Sequence, residues 1–211
     1  MGELKVKKLS SKADKVVYID HLLTDIKALD EMLAKGKFEK EPIHIGAEQE
    51  FCLTNENWEP ATNADTLLKE INDPHFTSEL TVYNLEINLD PLKLEGKCFS
   101  ELHNQLKILL KKATDIAAKH NTKIILTGIL PTVTPEHLGP DYMTPLKRYK
   151  VLNDALIDIR QDEIELHIKG VDEVNLHHDN IMYEGCNTSF QAHLQIDPDD
   201  FTNEYNWAQA I

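Results

Sequence analysis

A chain of 211 residues suffices for one large domain or two small ones. Its 36 acidic residues against 22 basic ones give a formal net charge of -14, which argues against a nucleic-acid or anionic-membrane partner. No apolar run approaches the ~18 residues that a membrane span needs, and the N-terminal stretch MGELKVKKLSSKADK lacks an apolar signal core. The three widely spaced cysteines, Cys52, Cys98 and Cys186, fit neither a disulfide framework nor a zinc site. They read as reduced thiols, and the expectation is a cytoplasmic protein.

In chain order, residues 1–13 are a polar lead-in. A helix follows, with Val17, Leu22, Leu23, Ile26, Leu29, Met32 and Leu33 as its apolar stripe and Gly36 suiting its end. Residues 1–42 are thus a tail and a helix, and the main domain is expected over 43–211. The segment 43–53 alternates in period two. His44, Gly46, Glu48, Glu50 and Cys52 share one face, and Ile45, Ala47, Phe51 and Leu53 share the other. A turn-rich loop covers 54–65. From Glu79 to Asp90 the apolar positions change parity, from Leu80 and Val82 to Leu85, Ile87 and Leu89. A single bulge or kink near Tyr83-Asn84 would explain the switch and would bring Glu79 and Glu86 onto one polar face.

A helix is predicted over 99–120 from Leu102, Leu106, Leu109, Ala113 and Ile116, and a buried strand over 123–131. A proline-rich loop covers 132–147, and a helix covers 150–168. Ser189–Ile196 alternates as a strand, with Ser189, Gln191, His193 and Gln195 on its polar side. A last helical pattern stops at Ile211 without a cap, as in a fragment of a longer protein. Short strands that are polar on one face predict an α+β fold, an antiparallel sheet with helices on its other face. No glycine-rich dinucleotide or Walker turn is present.

Acids on one sheet face repel: at about 4 Å and an effective dielectric near 20, each pair costs roughly 4 kcal/mol. A divalent cation would offset that. Glu48 and Glu50, two apart on a strand, point the same way, and Glu79 and Glu86 join them if the strands pair. Carboxylate oxygens suit Mg2+ or Mn2+, and His193 offers one nitrogen. Each feature also has a plain structural reading. Glu48 and Glu50 can form a solvated outer face, and His193 a structural hydrogen bonder. Arg148 can be a surface cation, although it also suits bidentate capture of a carboxylate. The cluster His177-His178-Asp179 is a weaker candidate, since adjacent strand residues point apart.

Five segments, IGAEQEF (45–51), SELTVYNLEINLDPL (78–92), TGILPT (127–132), MTPLKRY (143–149) and NTSFQAHLQID (187–197), together resemble the glutamate–cysteine ligase family of the bacterial and plant type, which also includes broader carboxylate–amine ligases. The resemblance covers most of 43–211. It implies a glutamine synthetase-like catalytic domain, incomplete at the C-terminus of this chain. It also implies ATP with Mg2+ (or Mn2+), and glutamate joined to cysteine or another amine, as in glutathione biosynthesis. By resemblance, Glu48, Glu50, Glu79, Glu86 and His193 would serve the metal, and Glu48, Glu50 and Arg148 catalysis. Gln191, His193 and Gln195 would face the nucleotide, and Arg148, Tyr149 and Asn88 the substrate. Two other readings stay open: a non-catalytic glutamate- or nucleotide-binding sensor, and a metal-dependent hydrolase.

Overall fold

The computed structural model describes residues 6–9, 11–160 and 164–211. The chain divides into two compact units. The first holds Ala47–Asp90 and Phe99–Gln191; the second holds Lys7–Gly46, Pro91–Cys98 and Ala192–Ile211.

In chain order the helices are α1 (Lys12–Ala34), α2 (Ala64–Ile71), α3 (Cys98–Lys119), α4 (Lys147–Arg160), α5 (Met182–Gly185) and α6 (Phe201–Gln209). The strands are β1 (His44–Thr54), β2 (Phe76–Ser78), β3 (Asn84–Asn88), β4 (Leu92–Lys93), β5 (Lys123–Ile125), β6 (Ile164–Lys169), β7 (Glu173–His178) and β8 (Phe190–Leu194). The pairings β1–β3, β1–β4, β1–β5, β2–β3 and β6–β7 are all antiparallel. Helices and an antiparallel sheet make this an α+β fold.

In the first unit the strands run β2–β3–β1, and β5 pairs with the C-terminal residues of β1. Phe51, Leu85 and Ile87 lie on one face with no exposure, and Phe76 lies opposite Ile87. The amphipathic helix α2 packs against β2 and β3, burying Ala64, Leu67 and Ile71. It ends where Asn72 turns left-handed at φ 41°, a conformation asparagine tolerates better than most residues. Helix α3 buries Leu102, Leu109, Ala113 and Ala117, close to the predicted stripe. Lys112 holds Asp73 at 2.7 Å, and Lys119 holds Glu70 at 2.8 Å.

Three expectations change. The parity switch between Leu80–Val82 and Leu85–Leu89 is a chain reversal, not a bulge. Strands β2 and β3 form a hairpin in which Phe76 faces Ile87, Thr77 faces Glu86 and Ser78 faces Leu85. Reversal through residues 79–83 resets the phase more thoroughly than one inserted residue. The strand expected over 123–131 keeps only Lys123–Ile125. Beyond it the backbone turns to meet the segment around Thr188, whose amide donates to the Gly128 carbonyl at 2.7 Å. The helix expected over 150–168 ends at Arg160. Residues 161–163 of that expectation lie outside the described residues, and 164–169 form β6, paired with β7. The period-3.6 signal in Val151, Leu152, Ala155, Leu156 and Ile159 is real, but Ile164, Leu166 and Ile168 alternate in period two.

The second unit contains α1, capped by Ser11 and Asp14 in a capping box. The expected helix forms, but its apolar residues do not make a single stripe, and no residue of the helix is buried. Apolar residues at 16–19, 22–23, 26, 29 and 32–33 spread around the helix, so no single face concentrates them. In the same unit His44 and Ile45 of β1 pair with Lys93 and Leu92 of β4. The Gln195 amide donates to the His44 carbonyl at 2.9 Å, and Lys40 bridges Asp197 and Asp199. No helix among the described residues is long and apolar enough to cross a membrane.

A close contact fixes the loop between β2 and β3. Leu80 clusters with Tyr149 and Ile181 and packs on Gly185 of α5. A Cβ on Gly185 would stand 2.1 Å from Leu80 Cδ2 and 3.0 Å from Leu80 Cβ, so the whole leucine, not only its tip, would have to move. Gly185→Ala is therefore expected to destabilise the chain by about 1–3 kcal/mol. The thermal midpoint should fall by several degrees. Gly128→Ala, whose Cβ meets nothing within 4 Å, is the calorimetric control and should scarcely shift it.

Candidate functional site

Register builds the site. Directly opposed residues of an antiparallel pair point to the same side. Glu50 on β1 faces Glu86 on β3, and Glu86 faces Thr77 on β2. Glu79 lies two residues beyond Thr77 and so projects from the same side. The result is a triad: Glu50, Glu79 and Glu86 each offer a carboxylate oxygen, and these oxygens lie within 4.8 Å of one another.

The triad is set in a partly dry environment. Glu86 is buried at 8% exposure, and Glu50 and Glu79 are half-buried. Each is oriented by a neighbour. Asn88 Nδ2 donates to Glu86 Oε1 at 2.6 Å. The Ser189 amide and hydroxyl donate to Glu50 Oε2 at 2.7 and 3.2 Å. The Leu80 amide donates to Glu79 Oε2 at 3.3 Å. Among the described residues none of the three acids has a salt-bridge partner. Burial pushes the Glu79 carboxyl well above the usual carboxylate range; its hydrogen bond with Glu86 and the charges of Glu86 and Glu50 push it further. Burial also raises Glu50, opposed in part by the Ser189 hydrogen bonds.

The donor set fits a hard divalent cation. A triangle no wider than 4.8 Å has a centre no more than ~2.8 Å from each corner. Less than ~1 Å of inward side-chain movement reaches the 2.0–2.1 Å of Mg2+–oxygen contacts. All three donors are carboxylates, and the nearby Cys52 is held as a neutral thiol, burial raising it to about 11. A soft thiolate metal finds no ligand there.

The other sequence candidates take distinct places. Glu48 is half-buried and faces Asn88, one step along the ladder from the Glu50–Glu86 pair. Asn88, expected at the substrate, donates its side-chain amide to Glu86. Arg148 stacks on the Tyr149 ring, 4.5 Å from its centroid, and donates to the Tyr149 hydroxyl, which donates in turn to the Ser78 carbonyl at 3.1 Å. Its Nε is buried without a hydrogen-bond acceptor. Gln191 and His193 are exposed on β8. Gln195, in the second unit, meets His44 Nδ1 at 2.8 Å and donates to the Glu39 carbonyl. His178 contacts the Asn180 carbonyl and stacks on Tyr183 with centroids 4.3 Å apart, while His177 faces Glu165 across the hairpin.

Three of the loop segments close around the triad. Thr144 Oγ1 donates to the Glu79 carbonyl at 2.6 Å, and its amide donates to the Leu80 carbonyl at 2.8 Å. Thr188 binds the Thr127 and Gly128 carbonyls, which sets Ser189 against Glu50. Sequence reasoning placed Ser189 only on a polar strand face; its amide contact to Glu50 depends on the meeting of residues 127–128 with 187–189, which no local pattern encodes.

Beside the triad is a cavity of about 620 Å³ within the first unit, with Glu79 in its wall. Tyr149 and Glu184 also line it, along with leucines of α4 and β6. Comparisons with models of protein families, with curated proteins and with solved structures find no match to this chain.

Proposed function

We propose that the chain is an ATP-dependent carboxylate–amine ligase of the glutamate–cysteine ligase type, with glutamate as the carboxylate donor and Mg2+ or Mn2+ held by Glu50, Glu79 and Glu86. The observation that carries this reading is the convergence on one sheet face of three carboxylates with no salt-bridge partner among the described residues, closed in by the 127–132, 143–149 and 187–189 segments that resemble that family. Glu48 stands next on the same face as a candidate fourth acid. The bound cation would offset the negative charge that builds on transferring phosphoryl oxygens.

In this reading the substrate carboxylate attacks the γ-phosphorus of ATP. A C–O–P linkage forms, the bond to ADP breaks, and ADP leaves with the electron pair. The amine then attacks the acyl carbon; the N–C bond forms, the C–O bond breaks, phosphate departs, and the amine's proton passes to solvent. No protein nucleophile is required. Ser189 and Asn88 hold Glu50 and Glu86 in place before reaction, so little reorganisation is needed when charge develops. Arg148, stacked on Tyr149 and with Nε lacking an acceptor, suits planar capture of a substrate carboxylate.

The test is ADP release by the 211-residue chain with ATP, glutamate and a panel of amines. Metal- and amine-dependent ADP release supports the reading. Glutamate or nucleotide binding without ADP release would favour a sensor. Product release from a phosphate or amide substrate without ATP would favour a hydrolase.

A further inference from the structure

The cavity beside Glu79 is too large and too apolar for a small amine. Its volume of about 620 Å³ equals the bulk share of roughly twenty water molecules, in the range of pockets that enclose whole drug-sized ligands. Cysteine or glycine would leave most of it wet. The apolar part of the wall includes Leu152 and Leu156 on α4 and Leu166 on β6, and the ring of Tyr183, which is stacked on His178, also lines the cavity. Water against such a wall is held weakly, and replacing it with apolar substituent is favourable by about 25 cal/mol for each Å² covered.

The same cavity is lined by two acids, Glu79 and Glu184, and by one base, Arg160. An α-amino acid presents an ammonium and a carboxylate on one carbon, with its side chain pointing away from both. The oxygens of Glu79 and Glu184 can accept hydrogen bonds from the ammonium, which brings the amine nitrogen beside the acid triad, while Arg160 suits the carboxylate. The body of the cavity then receives the side chain. Tyr149 links this space to Arg148, which its hydroxyl contacts.

We infer that this cavity is the acceptor-amine site and that it takes an amino acid with a large aliphatic or aromatic side chain, leucine or phenylalanine in class, in preference to cysteine or glycine. The acceptor role rests on the ligase reading above; the apolar amino-acid site rests on the cavity alone.

Two measurements on the same chain separate them. Calorimetry measures binding of leucine, phenylalanine, cysteine and glycine to the wild type and to Leu152→Asn, whose side chain is half exposed and so is open to change without unfolding. ADP release with ATP and glutamate is measured with each amine. The expected result is binding of leucine and phenylalanine, weakened at least about tenfold by Leu152→Asn, and a kcat/KM at least about tenfold above that for glycine or cysteine. A thermal melt of the variant checks its fold, and Leu156→Asn is the second variant should Leu152→Asn melt early. Turnover that favours cysteine or glycine overturns the inference while leaving the ligase reading standing. Leucine binding without ADP release from any amine overturns the acceptor role together with the ligase reading. Absence of leucine and phenylalanine binding overturns the site itself.

Discussion

Glu86→Gln is expected to abolish metal-dependent turnover and to weaken Mn2+ binding by at least about 100-fold, with little change in fold. Glu86 is the middle of the triad by register, opposite Glu50 on one side and Thr77 on the other. It is also the most buried of the three acids. Glutamine preserves the shape and an oxygen able to accept from Asn88 Nδ2, so the hydrogen bond that orients the side chain can survive. What is lost is one negative charge and one anionic ligand. Loss of a partner that merely orients a ligand costs 10–100-fold in metal affinity, so loss of the ligand itself should cost no less. Titration of Mn2+ followed by electron paramagnetic resonance reads the affinity, and the ADP-release assay reads the turnover. A variant that binds Mn2+ as the wild type does would remove Glu86 from any metal site, whatever its activity.

The sheet that carries the triad was legible because its strands obey the period-two rule. His44 to Leu53 alternates visibly, and β1 forms there. The common orientation of Glu79 and Glu86 was also legible, but for a reason that the pattern alone does not supply. A parity switch in apolar residues reports that the backbone changes phase; it does not say whether it bulges or reverses. The difference lies in the partner strand, and Phe76–Ser78 is too short to signal itself. The same limit hid β6 and β7. A helix with a clear stripe runs directly toward a hairpin, and only residues beyond the boundary carry the new period.

The orientation of the site depends more on long-range contacts than on any motif. Glu50 is positioned by Ser189, 139 residues away, and the Glu79 carbonyl is held by Thr144, 65 residues away. These contacts link segments far apart in sequence, and the shared face is where they meet. The cavity is less legible still. Its wall draws on α4, β6 and the residues around α5, and none of these announces a pocket in sequence, since a leucine on a helix reads first as core.

Crowding three acids implies that the metal-free chain carries a strain that a cation relieves, and Glu79→Gln separates the two contributions. The folded-state affinity of Glu79 and Glu50 for protons is raised by burial. Between the ordinary carboxylate pKa of about 4.3 and the raised folded values, the folded state therefore binds more protons than the unfolded state, and stability falls as pH rises through that window. At pH 7 without metal, Glu79→Gln is expected to raise the thermal midpoint by a few degrees and to flatten its decline between mildly acidic and neutral pH. Saturating Mn2+ should have opposite consequences for the two proteins. At one hundred times its Kd a ligand that binds only the folded state stabilises by about 2.7 kcal/mol, several degrees in a chain of this length, whereas the variant, short of one ligand, should gain little. Calorimetric scans with and without Mn2+ across that pH range distinguish the cases. A variant less stable than the wild type in the absence of metal would mean that Glu79 serves the fold through its hydrogen bonds, and an equal Mn2+ response in both proteins would place the cation away from Glu79. The crossing of the two effects, a substitution that stabilises the empty protein and removes its response to metal, is the signature of acids kept together for a ligand rather than for the fold.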